Sequence, residues 1–347
     1  MADLSVFFIT NRNLYNKSKR PWFGDRFNRD GPHALRFGVA HGRKDPGSQY
    51  DYIVDSVDIA PESLKDINDK NRIIGSRKVF KALRKKMSGK GACDTLVLIH
   101  GYASTFESSL QRGLQLADLY RPDGKPLNVV VFSWPADGKM IPYMSYFSDR
   151  NDARDSGEAM ARAFLILRDY IASLKESERC DRSIHLLAHS MGNYALRHGV
   201  QRLHERLGPA MPRLFSEIVL AAADEDDDAL SEPLKLKPLP EIGRRVSVYF
   251  APQDRALVIS DTTKGNPDRL GSDGPKLIDN LPAKVVLVDS RDVAFEGTPW
   301  TAHQYYRTSP RVAEDITATL SGLPVDRIPG RTYMSDQRAW RIQAEPG

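Results

Sequence analysis

Between Thr95 and Asp289 short apolar runs alternate with amphipathic helical patterns, and this alternation narrows the fold more than any other feature of the chain. The runs cover residues 95–99, 129–133, 183–188, 217–222, 245–250 and 284–289 and are rich in Val, Ile and Leu. A continuous apolar run, rather than an alternating one, marks a strand covered on both faces. Between the runs, Met160, Phe164, Leu167, Ile171 and Leu174 recur every three or four residues, as do Leu196, Val200, Leu203 and Leu207. That is the period of a helix with one buried side. Ser104 and Glu107 form a capping-box pair ahead of Leu110, Leu114 and Ala117. Repeated strand–helix units with doubly buried strands predict an α/β fold, a mostly parallel central sheet with helices on both faces. Residues 4–10, 35–40 and 52–59 read as earlier strands that extend the same sheet at one edge.

The strongest chemical signal is Ala188-His189-Ser190-Met191-Gly192, which follows one apolar run and opens the helical pattern that continues to Leu207. A nucleophile elbow needs this strand–turn–helix setting: small residues let the strained turn form, and the turn lifts the hydroxyl above the sheet. Ala188 stands where the usual pattern has its first glycine, and alanine is the next smallest residue. The second signal is His100-Gly101-Tyr102, directly after the run 95–99. The loop there supplies one oxyanion donor in such sites and the residue after the serine supplies the other. The backbone N–H groups of Tyr102 and Met191 are therefore the expected oxyanion hole. His100 is expected to shape its loop by hydrogen bonding rather than to transfer protons.

These stretches resemble the α/β-hydrolase superfamily, and more narrowly the bacterial hydrolases grouped as domain-of-unknown-function family 900. The resemblance rests on Phe7-Phe8-Ile9-Thr10-Asn11-Arg12, Phe37-Gly38-Val39-Ala40, His100-Gly101-Tyr102, Phe132-Ser133-Trp134-Pro135 and Asp149-Arg150. It continues through Ala188 to Asn193, Asp254-Arg255-Ala256-Leu257 and His303-Gln304-Tyr305-Tyr306, spanning about residues 5–310 in order. It implies the α/β-hydrolase fold and serine-hydrolase machinery, with no agreed reaction.

In that fold the triad runs serine, acid, histidine along the chain. Of eight histidines only His303 lies beyond the late strands, whereas His198 and His204 sit on the helix after the elbow and point away from the serine. For the acid, Asp254 follows the run 245–250 by four residues; Asp224 and Asp226, after the preceding run, are the alternatives. The expected triad is Ser190, Asp254 and His303. The five acids from Asp224 to Asp228 read as a solvated loop or a helix N-terminus rather than a metal site. The segment 134–150 carries Tyr143, Met144, Tyr146 and Phe147; it either roofs the site and contacts an acyl group or packs on the core. Asp149 and Arg150 are expected to pair with each other.

Charge is uneven: residues 1–92 hold 19 Lys/Arg against 10 Asp/Glu, and the rest holds 31 against 35. Eight bases and no acid fall between Arg72 and Lys90, where Val79, Phe80, Leu83 and Met87 keep helical spacing. The expected reading is a solvated basic helix packed by those four residues; contact of 77–90 with an anionic membrane surface is the alternative. No recognition motif accompanies the patch, so nucleic acid is not an expected partner. The substrate class is a small or lipid-like acyl compound, and no metal or cofactor is called for.

The longest apolar run, 218–223, is too short to span a bilayer, and the first residues lack a secretion-signal pattern. Two cysteines, Cys93 and Cys180, provide no disulfide framework. A cytoplasmic location is expected. The organisation read from the chain is an N-terminal extension at 1–92 within the same domain, an α/β-hydrolase core at 93–321, and an irregular tail at 322–347.

Overall fold

A computed structural model describes residues 3–17, 20–61, 74–139, 144–257, 268–297 and 302–344. The chain begins with β1 (Leu4–Thr10), the hairpin β2 (Arg12–Lys17) and β3 (Arg20–Phe27), then β4 (Arg36–Lys44), β5 (Tyr52–Ile59) and α1 (Gly75–Lys86). Alternating units follow: β6 (Thr95–Ile99), α2 (Phe106–Leu119), β7 (Asn128–Ser133), α3 (Met144–Asp155), α4 (Gly157–Ala172), β8 (Ile184–His189) and α5 (Met191–Leu207). The last elements are β9 (Phe215–Ala221), β10 (Gly243–Phe250), β11 (Val285–Asp289), α6 (Pro310–Leu320), β12 (Arg331–Met334) and β13 (Ala339–Ile342).

Among the described residues one 11-stranded sheet forms in the order β12-β13-β11-β10-β9-β8-β6-β7-β1-β4-β5, and β2 and β3 pair separately. From β13 through β1 every neighbouring pair is parallel. The pairs β1–β4, β4–β5 and β12–β13 are antiparallel. Successive side chains of a strand face opposite ways, so a doubly covered strand feeds two cores. Val97, Ile99, Val130, Phe132, Leu186 and Ile218 pack with Phe80, Phe164 and Leu196 from α1, α4 and α5. Leu96, Leu98, Val129, Val131, Leu187 and Val219 pack on the other face with Leu110 and Leu114 of α2 and Val312 and Ile316 of α6.

The strand order sets the position of the site. The chain leaves β6 for β7 on one side and returns to β8 on the other. The loops after β6 and β8 therefore diverge to opposite faces and leave a crevice at the carboxyl ends of the strands.

Three local expectations change. The cap of α2 is Thr105, whose side chain accepts from the Ser108 N–H, one residue later than the Ser104–Glu107 pairing predicts. The hairpin β2–β3 has no counterpart in the sequence reading. The tail expected to be irregular carries β12 and β13, with β13 pairing in parallel with β11. It is held by Arg331, whose guanidinium grips the buried Asp315 of α6 (2.6 and 2.7 Å) and reaches the Tyr249 hydroxyl. Four-residue strands, β12 with no buried residue and β13 with two, are too short to show a period. Among the described residues no helix is long and apolar enough to cross a membrane.

Candidate active site

Strand β8 is buried along most of its length, and the chain turns at Ser190 with φ 53° and ψ −129°. A non-glycine residue at positive φ is strained and persists only where its surroundings hold it. Here the Ser190 N–H donates to Ala221 O (3.0 Å), and Ser190 O accepts from the Asn193 N–H (3.0 Å) and the Asp224 N–H (3.2 Å). The Asn193 amide adds bonds to Ser190 O (3.0 Å) and Ala188 O (3.1 Å). A Cβ on Gly101 would lie 2.8 Å from the Ser190 Cβ, and one on Gly192 would lie 2.6 Å from the carbonyl oxygens of Ile99 and His100. Only glycine lets the loop after β6 and the elbow approach this closely.

Asp254 is fully buried four residues beyond β10. Its Oδ2 lies 2.7 Å from His303 Nδ1, and its Oδ1 accepts from the N–H groups of Ala256 (3.1 Å) and Leu257 (3.4 Å). With both oxygens engaged, the carboxylate fixes the imidazole so that Nδ1 carries the proton and Nε2 is free to accept one. Burial by itself would lower the His303 pKa, but the Asp254 charge and hydrogen bond outweigh it and hold the pKa above its ordinary value. His189, next to the serine, supports the same loop: its Nε2 bonds His303 O (3.0 Å), and the two rings lie 4.8 Å apart.

The alternative acid, Asp224, is committed elsewhere. Its Oδ2 accepts from the Tyr146 hydroxyl (2.6 Å), and its Oδ1 faces Arg269 (3.7 Å). The acidic stretch is not solvated as expected: Asp224, Glu225 and Asp227 are buried. Glu225 pairs with Arg197 (3.3 Å), Asp226 with Arg269 (2.8 Å) and Lys235 (2.9 Å), and Asp228 with Lys235. Cations supplied from α5 and two later segments make burial of these acids tolerable. Among the described residues no group of three or more His, Cys, Asp or Glu gathers as a metal site.

The loop after β6 is braced from several sides. His100 stacks on Trp134 (4.9 Å), accepts at Nε2 from the Trp134 N–H (3.1 Å) and bonds Gly101 O through Nδ1 (2.9 Å). Burial, with Arg12 nearby, drives the His100 pKa well below the usual imidazole range, so it stays neutral. Arg12, the first residue of β2, is itself buried and donates to Ser104 O (2.6 Å), Gly24 O and Ala136 O (both 3.0 Å). Burial lowers its pKa to about 9, which leaves it charged at neutral pH. Met191 opens α5, so its N–H has no acceptor inside the helix.

Asp149 and Arg150 do not pair with each other. The Asp149 carboxylate accepts from the N–H groups of Ala103 and Asp137 (both 3.0 Å), and the Arg150 guanidinium lies 3.6 Å over the Tyr194 ring. Consecutive helical residues diverge by about 100°, which sends these two side chains to different neighbours. On the same helix, Tyr146 is half-buried with its ring 5.7 Å from Tyr102, while Met144 and Phe147 are exposed. Tyr143 lies outside the described residues.

At one end of the parallel sheet the elbow at Ser190, held at positive φ, lies against Gly101, the His303–Asp254 pair adjoins it through His189, and Tyr102 meets Tyr146. Residues 76–321 match a family described as alpha/beta hydrolase of unknown function, DUF900. The chain belongs to that family. No curated protein matches it. Among solved structures it is similar to a lipase B of Aspergillus fumigatus, with 12% identity over 70% of this chain and 58% of that one, TM-score 0.40. It is also similar to an acylaminoacyl peptidase of Pyrococcus horikoshii, with 10% identity over 88% of this chain and 49% of that one, TM-score 0.35. The chain thus spans about half the length of these structures.

The family match begins at α1 and leaves out β1 to β5, although Arg12 at the start of β2 braces the loop after β6. Arg12, Asp149, His189 and Asn193 all stood within quoted motifs, but their roles depend on partners that the motifs do not name.

Proposed function

We propose that this alpha/beta hydrolase is a serine hydrolase that cleaves carboxylic esters through an acyl-enzyme. The observation that carries the reading is the 2.7 Å contact between His303 Nδ1 and the buried Asp254, on loops that meet the elbow. The Ser190 hydroxyl attacks the ester carbonyl carbon while His303 Nε2 takes its proton. Asp254 holds the Nδ1–H and stabilises the imidazolium. The oxyanion accepts from the N–H groups of Tyr102 and Met191. The alkoxide leaves with the proton from His303. A water then gives its proton to His303 and attacks the acyl carbon, releasing the acid and restoring Ser190.

Esters are favoured over amides because an alkoxide departs with less assistance than an amide anion. Tyr146, together with Tyr143, Met144 and Phe147, is the proposed wall for a small or lipid-like acyl group. The enzyme is read as cytoplasmic, where the unpaired Cys93 and Cys180 stay reduced.

The test is labelling with a fluorophosphonate followed by mapping of the modified residue. The label is expected on Ser190, and Ser190→Ala is expected to remove both labelling and ester turnover, a loss on the order of 10⁴ to 10⁶ in rate. Labelling at another residue, or wild-type turnover by Ser190→Ala, overturns the assignment.

A further inference from the structure

We propose that Asp149 is a positioning residue for the oxyanion hole, a carboxylate clamp that holds residues 101–104 so that the Tyr102 N–H faces the reacting carbonyl. This rests on the reading of Ser190 as nucleophile and Tyr102 as donor.

An oxyanion donor is useful only when its peptide plane is fixed before the charge develops, because reorganisation during reaction would cost what the donor gains. Three peptide planes of this short loop are each held by a different group. Gly101 O, on the same peptide as the Tyr102 N–H, takes bonds from His100 Nδ1 (2.9 Å) and the Ser104 hydroxyl (2.9 Å). Since the C=O and N–H of a trans peptide point in opposite directions, fixing the one aims the other. The next peptide is held by Asp149 Oδ2, which accepts from the Ala103 N–H (3.0 Å). Ser104 O is held by Arg12 (2.6 Å).

Ala103 itself sits at φ 52°. For alanine the left-handed region is disfavoured, because Cβ crowds the following carbonyl oxygen, so an untethered loop would relax out of this shape. The clamp is bivalent, because Asp149 Oδ1 accepts from the Asp137 N–H on the loop after β7 (3.0 Å). One fully buried carboxylate thus ties two active-site loops to α3. Burial pushes its pKa up to about 6, against the opposing pull of the two N–H donors and Arg12, so the group is a carboxylate at neutral pH. Both oxygens are then acceptors, which the two N–H groups require.

The experiment uses Asp149→Asn in the full chain. Asparagine keeps the size but has one acceptor oxygen, and its amide turns donors toward the second N–H. Removing an oxyanion donor outright costs about 10² to 10³ in kcat. A donor that is loosened rather than removed is expected to cost about 10- to 100-fold, with KM within about 3-fold of wild type. The deciding readout is a trifluoromethyl ketone, which forms a tetrahedral adduct bearing an oxyanion. Its Ki is expected to rise by the same factor as kcat/KM falls, while Ki for the product alcohol stays constant. A merely structural role would not make these quantities track each other.

Wild-type kcat and ketone Ki in a folded Asp149→Asn protein overturn the proposal, as does a fall in kcat with an unchanged ketone Ki. Should Asp149→Asn fail to fold, Asp149→Ser, which is smaller than the site, carries the same test. If Ser190→Ala is inactive and the Asp149 variants behave as wild type, only this inference falls. If Ser190→Ala remains active, the reading beneath it falls as well.

Discussion

The loops after β9 and β10 leave neighbouring parallel strands, and each presents a buried aspartate near the elbow. Asp224, on the first, contacts the Tyr146 hydroxyl and the Arg269 guanidinium, and its N–H supports Ser190 O. It belongs to a ladder of acids and cations that continues through Glu225, Asp226 and Asp228. Asp254, on the second, meets backbone N–H groups and one imidazole. A carboxylate beside fixed cations has its charge balanced in the resting protein, and it serves to organise the loop. One whose partner is a neutral imidazole keeps its field for the positive charge that appears when the imidazole takes a proton. Burial, which the two share, does not tell them apart; the partners do.

The largest test of this contrast is Asp254→Asn. Asparagine preserves shape but can donate to His303 Nδ1, which favours the wrong tautomer, and the rate of ester hydrolysis is expected to fall by roughly 10⁴. Asp224→Asn is expected to lower kcat less than about 10-fold while costing about 1–3 kcal/mol in stability, because Arg269 loses part of its buried counter-charge. Turnover and thermal unfolding measured on both variants decide the matter, and the contrast breaks if Asp224→Asn shows the collapse and Asp254→Asn does not.

The pH profile sharpens the same comparison. In the proposed mechanism His303 must be neutral to accept the Ser190 proton, so activity is expected to be lost as pH falls through its pKa. That pKa is raised by Asp254 and, further down the order of causes, by Asp224. The acid limb of kcat/KM is therefore expected to have its midpoint above 6.5, the ordinary histidine value. Asp224→Asn should move that midpoint to lower pH while the plateau changes little. A midpoint that stays put would mean that the Asp224 field does not reach the imidazole.

The smallest effect is expected far from both loops. Lys81 and Lys85 are exposed on α1, whereas Arg84 reaches Glu178 O (3.1 Å) and is only partly solvated, so the basic face is less uniform than its spacing implies. Lys81→Glu with Lys85→Glu is expected to change soluble ester turnover less than about 2-fold, as surface substitutions away from a site usually do. A large loss at unchanged melting temperature would instead show that the basic face steers substrate.

Legibility in the sequence followed the range of the interaction. The doubly covered strands are written as contiguous apolar runs, because both faces of each strand are buried along its own length. The elbow is equally local: strand, turn and helix are consecutive, and the small residues that its backbone requires lie within five positions of one another. His303 could be singled out because chain order leaves no other histidine beyond the late strands. The choice between Asp254 and Asp224 was harder, since each follows a strand and neither has a local mark that says which one meets an imidazole.

What the sequence by itself determined is the layered sheet, the position of the turn at Ser190 and the short set of residues from which a triad can be drawn. Tertiary structure alone decided which acid meets His303, that Asp224, Glu225 and Asp226 are set against Arg269, Arg197 and Lys235, that the tail returns to the sheet beside β11, and that Asp149 and Arg12 hold the loop after β6. The reason is physical. Periodicity and turn chemistry act between neighbours along the chain, whereas Asp149 finds Ala103 across 46 residues and Arg12 finds Ser104 across 92. Contacts of that span exist only after the sheet has formed and its loops have been brought to one end.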